Sequence, residues 1–167
     1  MQDRPIGVRI WLRMLRFVQR SNCVSNDFLS QAGLSVGQFE ALTQIQAGQP
    51  ITQSDLAAGL TISHGGVSRM LSRLEELGLI RRTQEWKTKY ISLTDAGEEL
   101  LAKVYPGQIA LQASMFTDVL TEDEQKQLYT LMRKVHKNSL TKEAPIGLAP
   151  EEDKPGPDSD DHTEKNL

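Results

Sequence analysis

Six basic side chains between positions 69 and 89 have types and a spacing that fit a definite chemistry: Arg69, Arg73, Arg81, Arg82, Lys87 and Lys89. Arg69 and Arg73 are four apart, so on a helix they share a side with Ser68 and Ser72. Gly65 falls on that same side with His64 at its N-terminal edge, while Val67, Met70, Leu71, Leu74 and Leu77 fall on the other. Hydroxyls can bond phosphates or bases, arginine can bind guanine O6 and N7 through two bonds, and small residues allow close approach. Ser63 can cap such a helix, and its first amides favour a phosphate. Each of Gly65 and Gly66 costs roughly 1 kcal/mol relative to alanine in a helix interior, and close approach to DNA supplies a reason for them. The competing reading is an ordinary amphipathic helix with a solvated polar face.

The flanking segments decide whether those residues are held in place. Thr52-Gln53-Ser54-Asp55 has the form of a capping box and opens a short helix with Leu56, Ala57 and Leu60 facing inward. A turn over 59–62 then leads into the helix that ends at Leu77-Gly78, which makes a helix–turn–helix. Two strands are expected next, Leu79 to Thr83 and Thr88 to Leu93, joined by Gln84-Glu85-Trp86-Lys87 as a hairpin. This wing brings Arg81 and Arg82 on one strand and Lys87 and Lys89 past the turn, and phosphate affinity grows with each charge neutralised.

The remaining elements are helical. One helix is expected from about Ile6 to Gln31 with a break near Ser21-Asn22, stopped by Gly33. Ser35 caps a second helix bearing Phe39, Leu42 and Ile45, and Pro50-Ile51 forms an extended link. Thr94 caps a long helix from Asp95 to about Asp118 that Pro106-Gly107 should kink or split. Thr121 with Glu124 opens the last, to about Lys137. Arg9, Arg13, Arg16 and Arg20 align on one side of the first helix, and Ile10, Trp11, Met14, Leu15, Phe17 and Val18 fill most of the rest. So apolar a helix needs a large partner, for which a second subunit is the natural candidate.

Charge divides the chain. Residues 141–167 hold eight acids against three lysines, four of the seven prolines and no aromatic residue. That segment cannot bury enough apolar surface to offset chain entropy and is expected to be disordered. Residues 1–140 are left with 16 basic and 14 acidic residues, a net +2 beneath the overall −3.

Other chemistry does not assemble. One cysteine excludes an intramolecular disulfide and a cysteine-cluster metal site. His64, His136 and His162 have no metal-ligand spacing, and no Walker loop, dinucleotide fingerprint or nucleophile elbow is present. No enzyme activity, cofactor or metal is expected. Cys23 reads as a buried structural thiol, with a redox sensor as the competing reading. No apolar run approaches the roughly 20 residues of a membrane span. Arg9, Arg13 and Arg16 interrupt any signal-peptide layout, so a soluble cytoplasmic protein is expected.

Four motifs in order resemble the MarR family of winged-helix regulators: Leu34-Ser35-x-x-Gln38-Phe39-x-x-Leu42, Ser54-Asp55-Leu56-Ala57, Val67-Ser68-Arg69-x-Leu71-x-Arg73-Leu74-Glu75-x-Leu77-Gly78-Leu79-Ile80, and Leu93-Thr94-Asp95-Ala96-Gly97. The resemblance covers about residues 8–138. It implies a homodimer whose first and last two helices intertwine and hold two winged helices over one pseudo-palindromic site in double-stranded DNA. It also implies transcriptional control, most often repression, relieved by a small ligand or oxidant. By position, Ser68, Arg69 and Arg73 match recognition-helix residues. The family's Asp-x-Arg in the wing is here Glu85-Trp86-Lys87, in a hairpin about three residues shorter; lysine keeps the charge without arginine's planar fork. The peroxide-sensing cysteine of some relatives falls where this chain has Trp11, not Cys23.

The expected fold is therefore mainly α with a small β-hairpin wing, a winged helix–turn–helix flanked by N- and C-terminal dimerisation helices. Its divisions are a first dimerisation helix over 1–34, a DNA-binding domain over 35–93, further dimerisation helices over 94–140 and an acidic tail over 141–167. The expected DNA-binding set, within the 63–77 helix and the 80–92 wing, is Ser63, His64, Gly65, Ser68, Arg69, Ser72, Arg73, Arg82, Lys87 and Lys89. Expected partners are double-stranded DNA, a second copy of the chain and a small-molecule effector, with no membrane. The alternative from another class is a winged-helix protein-interaction module that does not bind DNA.

Overall fold

Capping chemistry sets most element boundaries. The computed structural model describes residues 4–60 and 64–143. Helix α1 is Ile6–Ser30 and α2 is Val36–Gly48. Between them Gly33 takes φ +72, with the Gly33 amide donating to Ser30 O and the Leu34 amide to Leu29 O. That pair of bonds is a Schellman stop, and it uses the left-handed backbone that glycine adopts without strain. Ser35 then caps α2: its Oγ accepts from the Gln38 amide at 3.3 Å while Gln38 Oε1 accepts the Ser35 amide at 2.8 Å.

Strand β1 is Ile51–Thr52, and α3 is Gln53–Gly59. Thr52 Oγ1 accepts from the Asp55 amide at 3.1 Å and caps α3. Helix α4 is His64–Glu76, followed by β2, Ile80–Glu85, and β3, Thr88–Leu93. Gly78, at φ +71, repeats the Schellman stop between α4 and β2, with Leu79 N bonded to Leu74 O at 3.0 Å. Helix α5 is Asp95–Thr117, capped by Thr94, and α6 is Glu122–Ser139. The Thr121 amide and hydroxyl donate to Glu124 Oε2, at 2.8 and 2.9 Å, and hold that carboxyl below the usual carboxylate range.

Several expectations are corrected. Helix α1 runs unbroken through Ser21-Asn22. Within the helix Asn26 Nδ2 donates to Asn22 O, and Gln108 Nε2 from α5 donates to the buried Ser25 Oγ at 2.9 Å, so a local bond and a tertiary one together offset weak helix propensity. The extended link at Ile51 is a true strand: Ile51 pairs with Ile91 and Thr52 with Tyr90, giving an antiparallel sheet in the order β1-β3-β2. The hairpin turn is two residues, Trp86-Lys87, because Gln84 and Glu85 still pair with Lys89 and Thr88. Pro106 lies inside α5 without splitting it. Its missing amide would have served the Ala102 carbonyl, and both residues are exposed, so water can take that bond. Cys23 is exposed, not buried.

The chain divides into two compact units, Met1–Lys126 and Gln127–Leu167. The first holds one core, in which Leu42, Ile45, Leu56, Leu71, Leu74, Ile91 and Leu101 are essentially inaccessible to water. Its α1 leaves Ile6, Ile10, Trp11, Leu15 and Val18 exposed. The second holds most of α6, with Tyr129, Leu131 and Val135 exposed. Among the described residues no helix is long and apolar enough to cross a membrane. The acidic tail beyond residue 143 lies outside the described residues.

Candidate nucleic-acid interface

The apolar side of α4 fixes what its polar side can do. Val67, Leu71 and Leu74 are fully buried and Met70 is half-buried, so the helix cannot turn about its axis without exposing them. Leu77, expected on that side, is 41% exposed, because it follows the end of α4 at the Gly78 turn. Leu56 anchors α3 in the same core, and Gln44 Nε2 of α2 donates to Gly59 O at 2.7 Å where α3 ends.

With that side buried, Gly65, Ser68, Arg69 and Arg73 are exposed. A Cβ at Gly65 would meet nothing within 4 Å, so nothing in the fold requires glycine there. His64 is the first residue of α4, and Ser63 lies outside the described residues. Arg73 Nη1 donates to Glu76 Oε2 at 3.2 Å, both side chains being mostly exposed. Such a surface pair is worth about 0–1 kcal/mol, so Arg73 can exchange that partner readily.

The wing divides its basic residues by strand alternation. Arg81, Lys87 and Lys89 are exposed. Arg82 lies two residues after the buried Ile80 and therefore faces α4. Its Nη2 donates to Ser72 Oγ at 3.4 Å, its Nε lies 3.5 Å from Glu75 Oε2, and its side chain is only 25% exposed. Ser72 and Arg82, expected among the outward DNA-binding set, are bonded to each other instead. The partners Glu75 and Glu76 were missed, although Glu76 stands at the helical spacing of i+3 from Arg73.

Trp86 occupies the turn at φ 56, left-handed backbone unusual for a bulky residue, with its carbonyl accepting from Gln84 Nε2 at 3.1 Å. The indole is 91% exposed, and Lys87 Nζ lies 5.7 Å from its centroid. The wing tip thus presents an aromatic face with an ammonium group over it. Among the described residues no group of histidine, cysteine and carboxylate side chains could hold a metal ion.

A buried-faced helix following a short capped helix, with a three-stranded antiparallel wing beside it, defines a winged helix–turn–helix. The sequence profile of the MarR family matches residues 32–85. An HTH-type transcriptional regulator of Bacillus cereus is 54% identical over 145 residues, 87% of this chain and 99% of that protein. The structure of AbsC, a MarR-family transcriptional regulator from Streptomyces coelicolor, superimposes with a TM-score of 0.75 at 20% identity, over 85% of this chain and 99% of that one. A cysteine-to-serine variant of MarR from Escherichia coli, solved with operator DNA, gives a TM-score of 0.69 at 27% identity, over 77% of this chain and 95% of that one. The chain belongs to the MarR family, whose members are transcription regulators and not enzymes.

Proposed function

We propose that the protein is a homodimeric transcription repressor that binds a pseudo-palindromic site in double-stranded DNA, one α4 to each major groove, and that a small molecule releases it. The carrying observation is that Ser68, Arg69 and Arg73 are exposed on a helix whose opposite side is locked in the core, beside a wing exposing Arg81, Lys87 and Lys89. Residues 35–93 form the DNA-binding domain. The helices within 1–34 and 94–140 serve dimerisation, supported by the apolar residues that α1 leaves in water. Half-sites then lie about one DNA turn apart, roughly 34–36 Å. Such a protein works where the DNA is, in the cytoplasm. Control by a small molecule is the family's usual mode, and no residue is assigned to the effector.

Fluorescence anisotropy with DNA from upstream of the protein's own gene, against scrambled DNA, tests this reading. Preference for the upstream DNA, with affinity falling steeply as salt rises, supports it. No binding to either at low salt would favour a protein-interaction module instead.

A Glu76→Gln substitution is expected to tighten DNA binding by about two- to fivefold, since it frees Arg73 and removes a negative charge from the interface. Weaker binding in the same assay would mean that Glu76 holds Arg73 in a productive pose.

A further inference from the structure

We infer that Arg82 is a positioning residue: it sets the angle of the wing against α4 and does not itself contact DNA. This rests on the DNA-binding reading above and concerns how that interface is held.

Arg82 differs from every other basic residue of the region. Arg69, Arg73, Arg81, Lys87 and Lys89 are exposed, whereas Arg82 is three-quarters covered and turned to Ser72 and Glu75. Those two residues are one helical turn apart on α4, so one guanidinium spans both. Its Nε is buried with no hydrogen-bond partner among the described residues, and faces Glu75 Oε2 at ion-pair distance, 3.5 Å. A charge already facing a carboxylate adds little to the count of phosphates the surface can neutralise.

Its place in the sheet gives the contact leverage. Arg82 pairs with Ile91, which pairs in turn with Ile51, and Thr83 pairs with Tyr90, partner of Thr52. Beyond that level β1 has ended, and the hairpin continues as two strands only. Arg82 therefore stands at the root of the free hairpin, four residues from Trp86, or about 13 Å at the usual rise of a strand. A rotation of roughly 10° at the root moves the tip by about 2 Å, enough to break a hydrogen bond to a phosphate. The ion pair and the Ser72 bond together restrict that rotation.

Direct contact and positioning predict opposite signs for Glu75→Gln. If Arg82 touched phosphate, removing Glu75's charge would free it and tighten binding, as expected for Glu76→Gln. If Arg82 positions the wing, Glu75→Gln loosens it, and that loss outweighs the small gain from removing one screened negative charge, so binding weakens.

The full-length protein and its Glu75→Gln, Arg82→Met and Arg82→Lys variants would be titrated with the upstream DNA across salt concentrations. Hydrogen exchange of the wing amides, residues 81–93, would be followed without DNA. Glu75→Gln and Arg82→Met should each weaken binding about two- to fivefold, the worth of a partly exposed pair. The salt slope should stay unchanged, wing exchange should speed up while α2 stays protected, and Arg82→Lys should recover part of both effects. A salt slope reduced by about 1 in Arg82→Met would show a phosphate contact and overturn the inference. So would tighter binding by Glu75→Gln, or wing exchange unchanged in both variants. The exchange measurement needs no DNA, so it tests the bracing of the wing separately from the DNA-binding reading, and unchanged exchange overturns the inference even if the wild-type protein fails to bind the DNA offered.

Discussion

Arg73→Ala is expected to cost about 5- to 150-fold in affinity for the upstream DNA, the worth of one arginine that reads guanine through two bonds. Arg73 lies near the end of α4 with its side chain mostly exposed, and its partner among the described residues is the exposed Glu76. Truncating it leaves no buried group unsatisfied, so helix content and oligomeric state should be unchanged. That combination separates the removal of a DNA-reading side chain from a fold that has failed. Anisotropy with upstream and scrambled DNA would show the loss concentrated on the upstream sequence. An unchanged affinity would overturn the docking of α4 in the major groove.

The second large effect is on stability. Gly97 is buried in the first turn of α5, and a Cβ there would collide with the carbonyl oxygen of Leu79. That oxygen is backbone and accepts the Thr94 amide at 3.1 Å. Thr94 Oγ1 in turn accepts the Gly97 amide at 3.1 Å and donates to Gly78 O at 2.6 Å. The start of α5, the end of the wing and the turn after α4 are thus tied through one hydroxyl. Gly97→Ala must push these apart, costing about 2–4 kcal/mol from overpacking and a weakened bond. Urea unfolding of Gly97→Ala beside Gly65→Ala provides the comparison. A Cβ at Gly65 meets open space, so that variant should be neutral or gain up to about 1 kcal/mol. Equal stability of the two would mean that close approach is not what Gly97 supplies.

The parts of the fold legible in the sequence were those governed by local chemistry. Ser35, Thr52 and Thr94 cap the helices they were expected to cap, and Gly33 and Gly78 stop theirs, because each acts on atoms a few residues away. What was misread depended on distant residues. Strand β1 has two residues and no alternation of its own; it exists only because β3 offers Tyr90 and Ile91 as partners. The continuity of α1 past Ser21-Asn22 rests partly on Gln108, 83 positions from Ser25. At the candidate interface, the outward set Ser68, Arg69 and Arg73 followed from helical spacing. The inward turn of Arg82 was also available, since a residue two after the apolar Ile80 on a strand shares its face. Charge alone carries no information about which strand face a residue occupies. The exposure of Cys23 had no local signal, since an isolated cysteine among mixed neighbours gives none.

The position of Trp86 has a practical consequence. The chain has two tryptophans, Trp11 on α1 and Trp86 at the wing tip, both mostly in water. With Trp11→Phe, the remaining indole emits from the tip of the wing and should respond when the tip meets a nucleic acid. With Trp86→Phe, it emits from the apolar side of α1 and should respond when that side is covered by another subunit. The protein therefore carries one native fluorophore for each of its two proposed associations, and the two can be followed separately without an attached dye.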